Sequence, residues 1–405
     1  MTRLLRELKF WLCYAGAMLL SFTGAKAENA DWQNIIEKAK GQEVVFYAWG
    51  GDPRINAYIS WVADQVKADY DIDLRQVKAS ETALGVSQIR AERLAGLGDQ
   101  AGRIDLIWIN GENFAQMKQE GLLFGPFAEQ LPNFAFIAEC DRPAVLTDFT
   151  IPTEGYESPW GTAQFNFIYD PEQLKGSFPQ SMAEFVAWAE QNAGLLSYPQ
   201  PPNFLGSTFL KQVLLELWPD DPRLFQDVSQ LEAKDYASIT APLWDFLDRL
   251  HPHLWRQGRA FPLSGPQQSQ LIEDGEQAMM LSFTPSEGLA LKEQQRLPKS
   301  IKIVGLKNGT IGNTHFVAIP YNSAHKQAAM VVANFLLSPL AQAKKQDIRV
   351  WGDASVLPQE LLRPELEALG APQLGEKLNL GARLNEPHPS WMVQIERDWL
   401  ERYAR

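Results

Sequence analysis

Residues 301–346, IKIVGLKNGTIGNTHFVAIPYNSAHKQAAMVVANFLLSPLAQAKKQ, set the reading of the whole chain. They describe a strand, a polar turn, a second strand ending at Pro320, and then a helix. Ala328, Val331, Val332, Phe335 and Leu336 recur at the i, i+3, i+4, i+7, i+8 spacing of a buried helix face. Asn322 and Ser323 are expected to offer side-chain oxygens to the first free helix amides, and Pro339 to stop the helix. Such a unit belongs in an α/β core.

Toward the N-terminus the same alternation of strand and helix repeats. Glu43 to Trp49, EVVFYAW, is an apolar run without alternation, as in a strand buried on both faces. Ile55, Tyr58, Ile59, Val62 and Val66 then mark a helix face, followed by a strand near Ile72 to Val77, a helix from about Gly85 to Leu97, and the strand Ile104 to Ile109. Strands and helices alternating this closely predict βαβ units and a mainly parallel sheet. Ligand loops fall at the carboxyl ends of such strands. Two loops qualify: Trp49-Gly50-Gly51-Asp52, where glycines let backbone amides approach a ligand ahead of a helix N-terminus, and Asn110-Gly111-Glu112-Asn113. The bland account of both is a turn chosen for its dihedral demands.

Composition bounds the function. Arg3, Arg6 and Lys9, the apolar run FWLCYAGAMLLSF and Ala25-Lys26-Ala27 have the form of a secretory signal peptide cleaved after Ala27, and the run is short for a bilayer span. Cys13 leaves with that leader, so Cys140 would be alone in a mature chain that must rest on a large core, which suits a Gram-negative periplasm. The formal net charge is −12, and loss of the basic leader makes the rest more acidic, so nucleic acid and anionic lipid are poor partners. A chain of 405 residues exceeds what one hydrophobic core organises, which predicts two domains.

The lead-in ending at Asn313-Thr314, then HFVAIPYNSAHK and AAxxVANFLLSPLAQ, resembles the return segment of the family-1 extracellular solute-binding proteins of ABC importers. The resemblance implies a two-lobed (type II) periplasmic binding protein fold of mainly parallel sheets flanked by helices. Its parts would be a signal peptide over 1–27, an N-terminal lobe over 28–163, a C-terminal lobe over 164–311, and a return to the N-terminal lobe with C-terminal helices over 312–405. Asn313 and Thr314 would form a turn facing the ligand cleft. The segment ESPWGTAQFNFIYDPEQL is similar to the family's first crossing, which implies Trp160 at the cleft mouth and Asn166 near the hinge. In the second lobe Ser181 to Glu184 reads as a capping box, and LLSY as a strand leading to Asn203, Ser207 and Thr208, polar groups where the family offers hydrogen bonds to its ligand. Capping alone would also explain Ser207 or Thr208. Gly275 to Met279 is similar to a weak family step, which puts Phe283 and Glu287 on a further cleft loop. In the terminal stretch Trp391, Ile395, Trp399 and Tyr403 make an apolar stripe for a helix docked on the body.

An enzyme is the competing class. The sequence contains no G-x-S-x-G, H-E-x-x-H, Walker A or C-x-x-C pattern, and His251 and His253 flank Pro252 as a structural pair. No catalytic residue, metal ligand or cofactor is expected. The absence of a Tyr-Tyr pair argues against ferric iron among members of the resembled family. Trp49, Trp160 and Phe283 with Asp52, Glu112 and Glu287 favour an organic cation; thiamine- and polyamine-binding members are the nearest comparison. A sugar is the alternative, and a secreted hydrolase a remoter one. The expected partners are a small-molecule solute and an inner-membrane ABC permease, with the binding protein itself a monomer in the periplasm.

Overall fold

The computed structural model describes residues 24–138, 142–371, 378 and 380–404. Most of the expected leader, and Cys140, lie outside these residues. The chain forms two α/β lobes around separate hydrophobic cores.

In the first lobe β1 (Glu43–Trp49) pairs in parallel with β2 (Asp73–Ala79) and β3 (Leu106–Ile109). The helices Pro53–Tyr70 and Thr82–Leu94 cover the two faces, seating Tyr58 and Val62 in one core and Val86 and Ile89 in another. β4 (Thr147–Asp148) and β5 (Ile151–Pro152) form a small hairpin in the irregular stretch that follows. β6 (Glu157–Gln164) then leads through Phe165 into β7 (Asn166–Tyr169), the first strand of the second lobe. β7 pairs with β8 (Met279–Ser282) and β9 (Lys302–Val304), and both pairings are antiparallel. The parallel arrangement expected from the βαβ spacing holds for β1, β2 and β3. β7 enters the second lobe directly from the crossing strand β6, and β8 and β9 both run opposite to it.

β10 (Thr310–Ala318) returns the chain to the first lobe, antiparallel to β3 and β6. The helix Lys326–Leu336 follows with the predicted apolar face buried. Neither expected side-chain cap is made on the first helix amides: Asn322 Oδ1 has no partner, and His325 stands at the N-cap without a side-chain cap bond. Ser323 Oγ accepts from the His325 amide at 3.2 Å but also donates to Asp105 at 2.8 Å, and Asn322 donates to Glu92 at 2.8 Å. Pro339 opens a second helix, Pro339–Gln346, capped by Ser338, because proline fits a first helical turn.

The chain crosses a third time. β11 (Arg383–Leu384) pairs with the start of β10, and the helix Pro389–Tyr403 then buries Trp391, Ile395 and Trp399 in the core of the second lobe, beside Tyr198 and Phe209. The predicted stripe is real, and its dock is the second lobe. Leu195–Tyr198, expected as a strand, joins no sheet; its carbonyls accept instead from Ala278 and Trp255. Ser181 precedes the helix Met182–Gln191 without a side-chain cap bond, and Glu184 accepts from the Gln180 amide at 2.9 Å.

Candidate functional site

The lobes are shut on each other. Ser286 of the second lobe donates to the carbonyl of Gly352 in the first, and the terminal helix packs on the helix Gly111–Gln119 across the seam. Closure brings side chains from both lobes into one largely buried layer.

From the first lobe come Glu112, Asn113, Asp148 and Phe149. Glu112 accepts from Asn113 Nδ2, and Asp148 Oδ2 accepts from the Gly111 amide at 2.5 Å. Gly111 has φ +56, and a β-carbon there would lie 2.7 Å from the Phe149 ring, so glycine is required by both dihedral and space. From the second lobe come Phe204, Ser207 and Lys211 on the helix Phe204–Leu217. Lys211 is fully buried and meets Glu386 Oε2 at 2.6 Å, while Ser207 Oγ donates to Glu396 at 2.5 Å. Asn313 Nδ2 reaches the other oxygen of Glu386 at 3.1 Å.

The electrostatics of this layer are lopsided. Burial drives the Glu112 carboxyl up to about 8, with the charges of Glu396 and Glu386 adding and Lys211 opposing. Burial likewise pushes Glu396 up to about 7 and Asp148 well above the carboxylate range. At the rim, burial also raises Glu287, with Arg54 of the facing lobe pulling the other way. Carboxyls crowd faster than cations are supplied to balance them.

The other sequence-derived residues sit as follows. Trp49 is partly buried at the end of β1 with its indole over Gly51, where a β-carbon would fall 2.3 Å from the ring; Gly50 is held against Lys78. These glycines make room for neighbouring side chains. Asp52 caps the next helix by accepting from the Arg54 amide at 2.7 Å, so that helix start is already served by its own carboxylate. Asn110 donates to the Thr314 carbonyl. Trp160, expected at the cleft mouth, is fully buried within the first lobe among Phe46, Tyr58, Trp108 and Trp351. A strand buried along nearly its whole length gives the indole nowhere else to go.

Asn166 is buried at the crossing, donating to the Gln164 carbonyl at 3.0 Å, and its Oδ1 has no partner. Asn203 caps the helix Phe204–Leu217 by accepting from Leu205 at 3.1 Å. Phe283 meets Phe204 edge-on at 5.1 Å. Asn313 and Thr314 lie inside β10 rather than on a turn, because the reversal is made earlier, at Gly309 with φ +103. Thr314 donates to Ala144 O at 2.9 Å, beside a cavity of about 230 Å³ next to Arg383. His251 is buried against the Tyr198 hydroxyl at 2.7 Å, and burial draws its imidazole down to about 4. Among the described residues no group of three or more His, Cys, Asp or Glu is arranged to hold a metal ion.

Sequence reasoning did not single out Asp148, Phe149, Lys211, Glu386 or Glu396. One signal was available. Lys211 interrupts the apolar run of a helix whose residues from Gly206 to Leu215 are all buried, and a lysine there needs an anionic partner.

Two lobes, chain crossings between them and a polar layer from both sides define a two-lobed binding protein. The family model for bacterial extracellular solute-binding proteins matches residues 61–371, and the chain belongs to that family. Protein YnjB of Escherichia coli K12 is 43% identical over 392 residues, covering 95% of this chain and 97% of that protein. Among solved structures, AfuA of Actinobacillus pleuropneumoniae, with fructose-6-phosphate bound, has a TM-score of 0.62 at 15% identity over 90% of this chain and 99% of its own. The spermidine/putrescine substrate-binding protein PotD of Streptococcus pneumoniae has a TM-score of 0.59 at 13% identity, over 90% and 98%. Iron-bound HitA of Pseudomonas aeruginosa has 0.59 at 14%, over 88% and 99%. At these identities the likeness is one of fold.

Proposed function

We propose that the protein captures a small organic cation between its lobes in the periplasm and hands it, as a monomer and without chemistry, to an inner-membrane permease. The observation that carries this is the excess of carboxyls in the seam: Glu112 and Asp148 from one lobe face Glu386 and Glu396 from the other, with Lys211 as the cation set among them. A cationic solute would supply the missing charge and stabilise the shut form over the open one. Spermidine/putrescine binding by a relative in fold, PotD, is compatible with this chemistry. A neutral sugar is the second reading, since Trp49 and Phe283 are only partly buried and carboxylates accept from hydroxyls.

Thermal unfolding of ligand-free protein with thiamine, spermidine, choline and a panel of sugars tests the assignment. A cation should raise the melting temperature in proportion to the logarithm of its concentration. Stabilisation by sugars alone would replace the cation reading. With the cation that binds, Glu112→Gln should weaken affinity about 10- to 100-fold, the worth of one charge-assisted contact, while leaving unliganded stability near wild type.

The raised carboxyls fix a sign for pH. In the shut, unloaded form Glu112 and Glu396 hold protons that an open, hydrated form releases above about pH 4.5. The empty shut form is thus favoured in acid and loses that advantage as pH rises through about 7 and about 8. A cation prefers the ionised carboxylates, so its affinity, measured by calorimetry, should tighten between about pH 6 and about pH 8.5. A flat profile would remove these two groups from the solute's surroundings.

A further inference from the structure

We propose that Lys211 is a tethered surrogate for the captured cation: in the shut, unloaded protein its ammonium fills the box of ring faces and carboxylate that an ammonium-bearing solute takes when loaded. The inference rests on the cation reading of the seam.

Lys211 belongs to the second lobe and has no exposed surface. Its ammonium lies 2.6 Å from Glu386 and over two rings, 4.4 Å from the centre of Phe149 and 5.4 Å from that of Phe204. Phe149 is anchored to the first lobe by its packing on Gly111, so the shorter ring contact exists only while the lobes are together. A desolvated ammonium is costly unless a carboxylate and polarisable faces replace its water, and that set of partners is also what recognises a cationic ligand. Glu112, Asp148 and Glu396 are close enough for the Lys211 charge to act on them. The side chain therefore makes, from inside the protein, the contacts a solute would make from outside.

Two consequences follow. The empty protein shuts more readily than a seam of bare carboxyls would. An incoming cation competes with Lys211, and its apparent affinity falls by the fraction of molecules in which the box is already filled. Lys211 then sets specificity, because a solute must offer more than one ammonium's worth of contacts to displace it.

The test uses full-length mature protein freed of carried-over ligand by unfolding and refolding, with solution X-ray scattering as the first readout. Unloaded wild type and Lys211→Arg should scatter as compact shut particles, whereas Lys211→Met and Phe149→Leu should expand and become compact again with spermidine or thiamine. Phe149→Leu leaves the Lys211–Glu386 pair in place, so it decides the matter if Lys211→Met folds poorly. In calorimetry, whichever of the two probes binds wild type should bind Lys211→Met about tenfold more tightly, the scale of a desolvated cation–π contact, and Phe149→Leu no more tightly than wild type, because that variant takes a ring from the solute as well as from Lys211. Equal radii for unloaded wild type and Phe149→Leu would overturn the proposal. So would weaker probe binding by Lys211→Met, which would make Lys211 an anchor for an anionic group of the solute. If wild type binds neither probe nor any other cation, the cation reading of the seam fails, and the scattering comparison still decides whether Lys211 holds the lobes together.

Discussion

Lys345→Met is expected to destabilise the first lobe by about 3–5 kcal/mol, the cost of leaving a buried charge without its partner. Lys345 and Asp353 are both fully buried, 2.7 Å apart. The ammonium also donates to the carbonyls of Trp160 and Ala354, and it lies 5.7 Å from the Trp160 ring and 5.6 Å from the Trp351 ring. Burial is the largest influence on Asp353 and pushes its carboxyl up, but Lys345 and His315 together hold it below the usual range. In wild type this contribution is present above the ordinary carboxylate pKa and is lost as pH falls through the lower folded value. Without Lys345, burial dominates. The carboxyl then rises, the folded state binds more protons than the unfolded one, and stability should decline with increasing pH instead. Urea unfolding across a pH series reads both the loss and its reversed slope. Removing both charges, in Lys345→Met with Asp353→Leu, should recover most of the loss because no buried ion is left unpaired. A single-variant loss below about 1 kcal/mol, typical of an exposed pair, would show that water reaches this site.

Trp399→Ala should cost a similar amount, about 3–5 kcal/mol, and the damage should fall on the second lobe. Trp399 is fully buried, packs edge-on against Phe261 at 5.1 Å, and donates to the Tyr198 hydroxyl at 2.8 Å. Truncation leaves a cavity and takes a donor from a hydroxyl that also meets His251. Two cores with separate memberships need not melt together, so calorimetry should show the second-lobe transition moving down while the first-lobe transition stays. In Lys345→Met the order should reverse. An unchanged second-lobe transition in Trp399→Ala would mean that the terminal helix contributes nothing to that core.

The strand β1 was legible as an unbroken apolar run, and β10 and the helix Lys326–Leu336 from the strand ending at a proline and the helical spacing that follows it. Family resemblance in the segment ESPWGTAQFNFIYDPEQL added the crossing at Phe165, and in the return segment the one before β10. The third crossing was not legible. β11 is two residues long and pairs only with Thr310 and Ile311, so no periodicity announces it. Glu386 follows on that crossing and Glu396 lies on the helix after it, and their place in the seam depends on contacts with residues far away in the chain. Glu112, Ser207 and Asn313 were reachable from local pattern, as a loop after a strand, a helix start and a motif residue. Trp160 shows the limit of that reasoning. An indole beside proline and glycine reads the same on a cleft wall and in a core, and only the packing of Tyr58, Trp108 and Trp351 around it decides.

The path of the last crossing has a practical outcome. Trp32 of the first described helix is seated in one lobe and Trp399 of the last described helix in the other, so these two helices ride on opposite lobes. Donor and acceptor fluorophores attached near Glu37 and Glu401 would follow the jaw angle in real time, from positions remote from the guest, without disturbing the surfaces that meet.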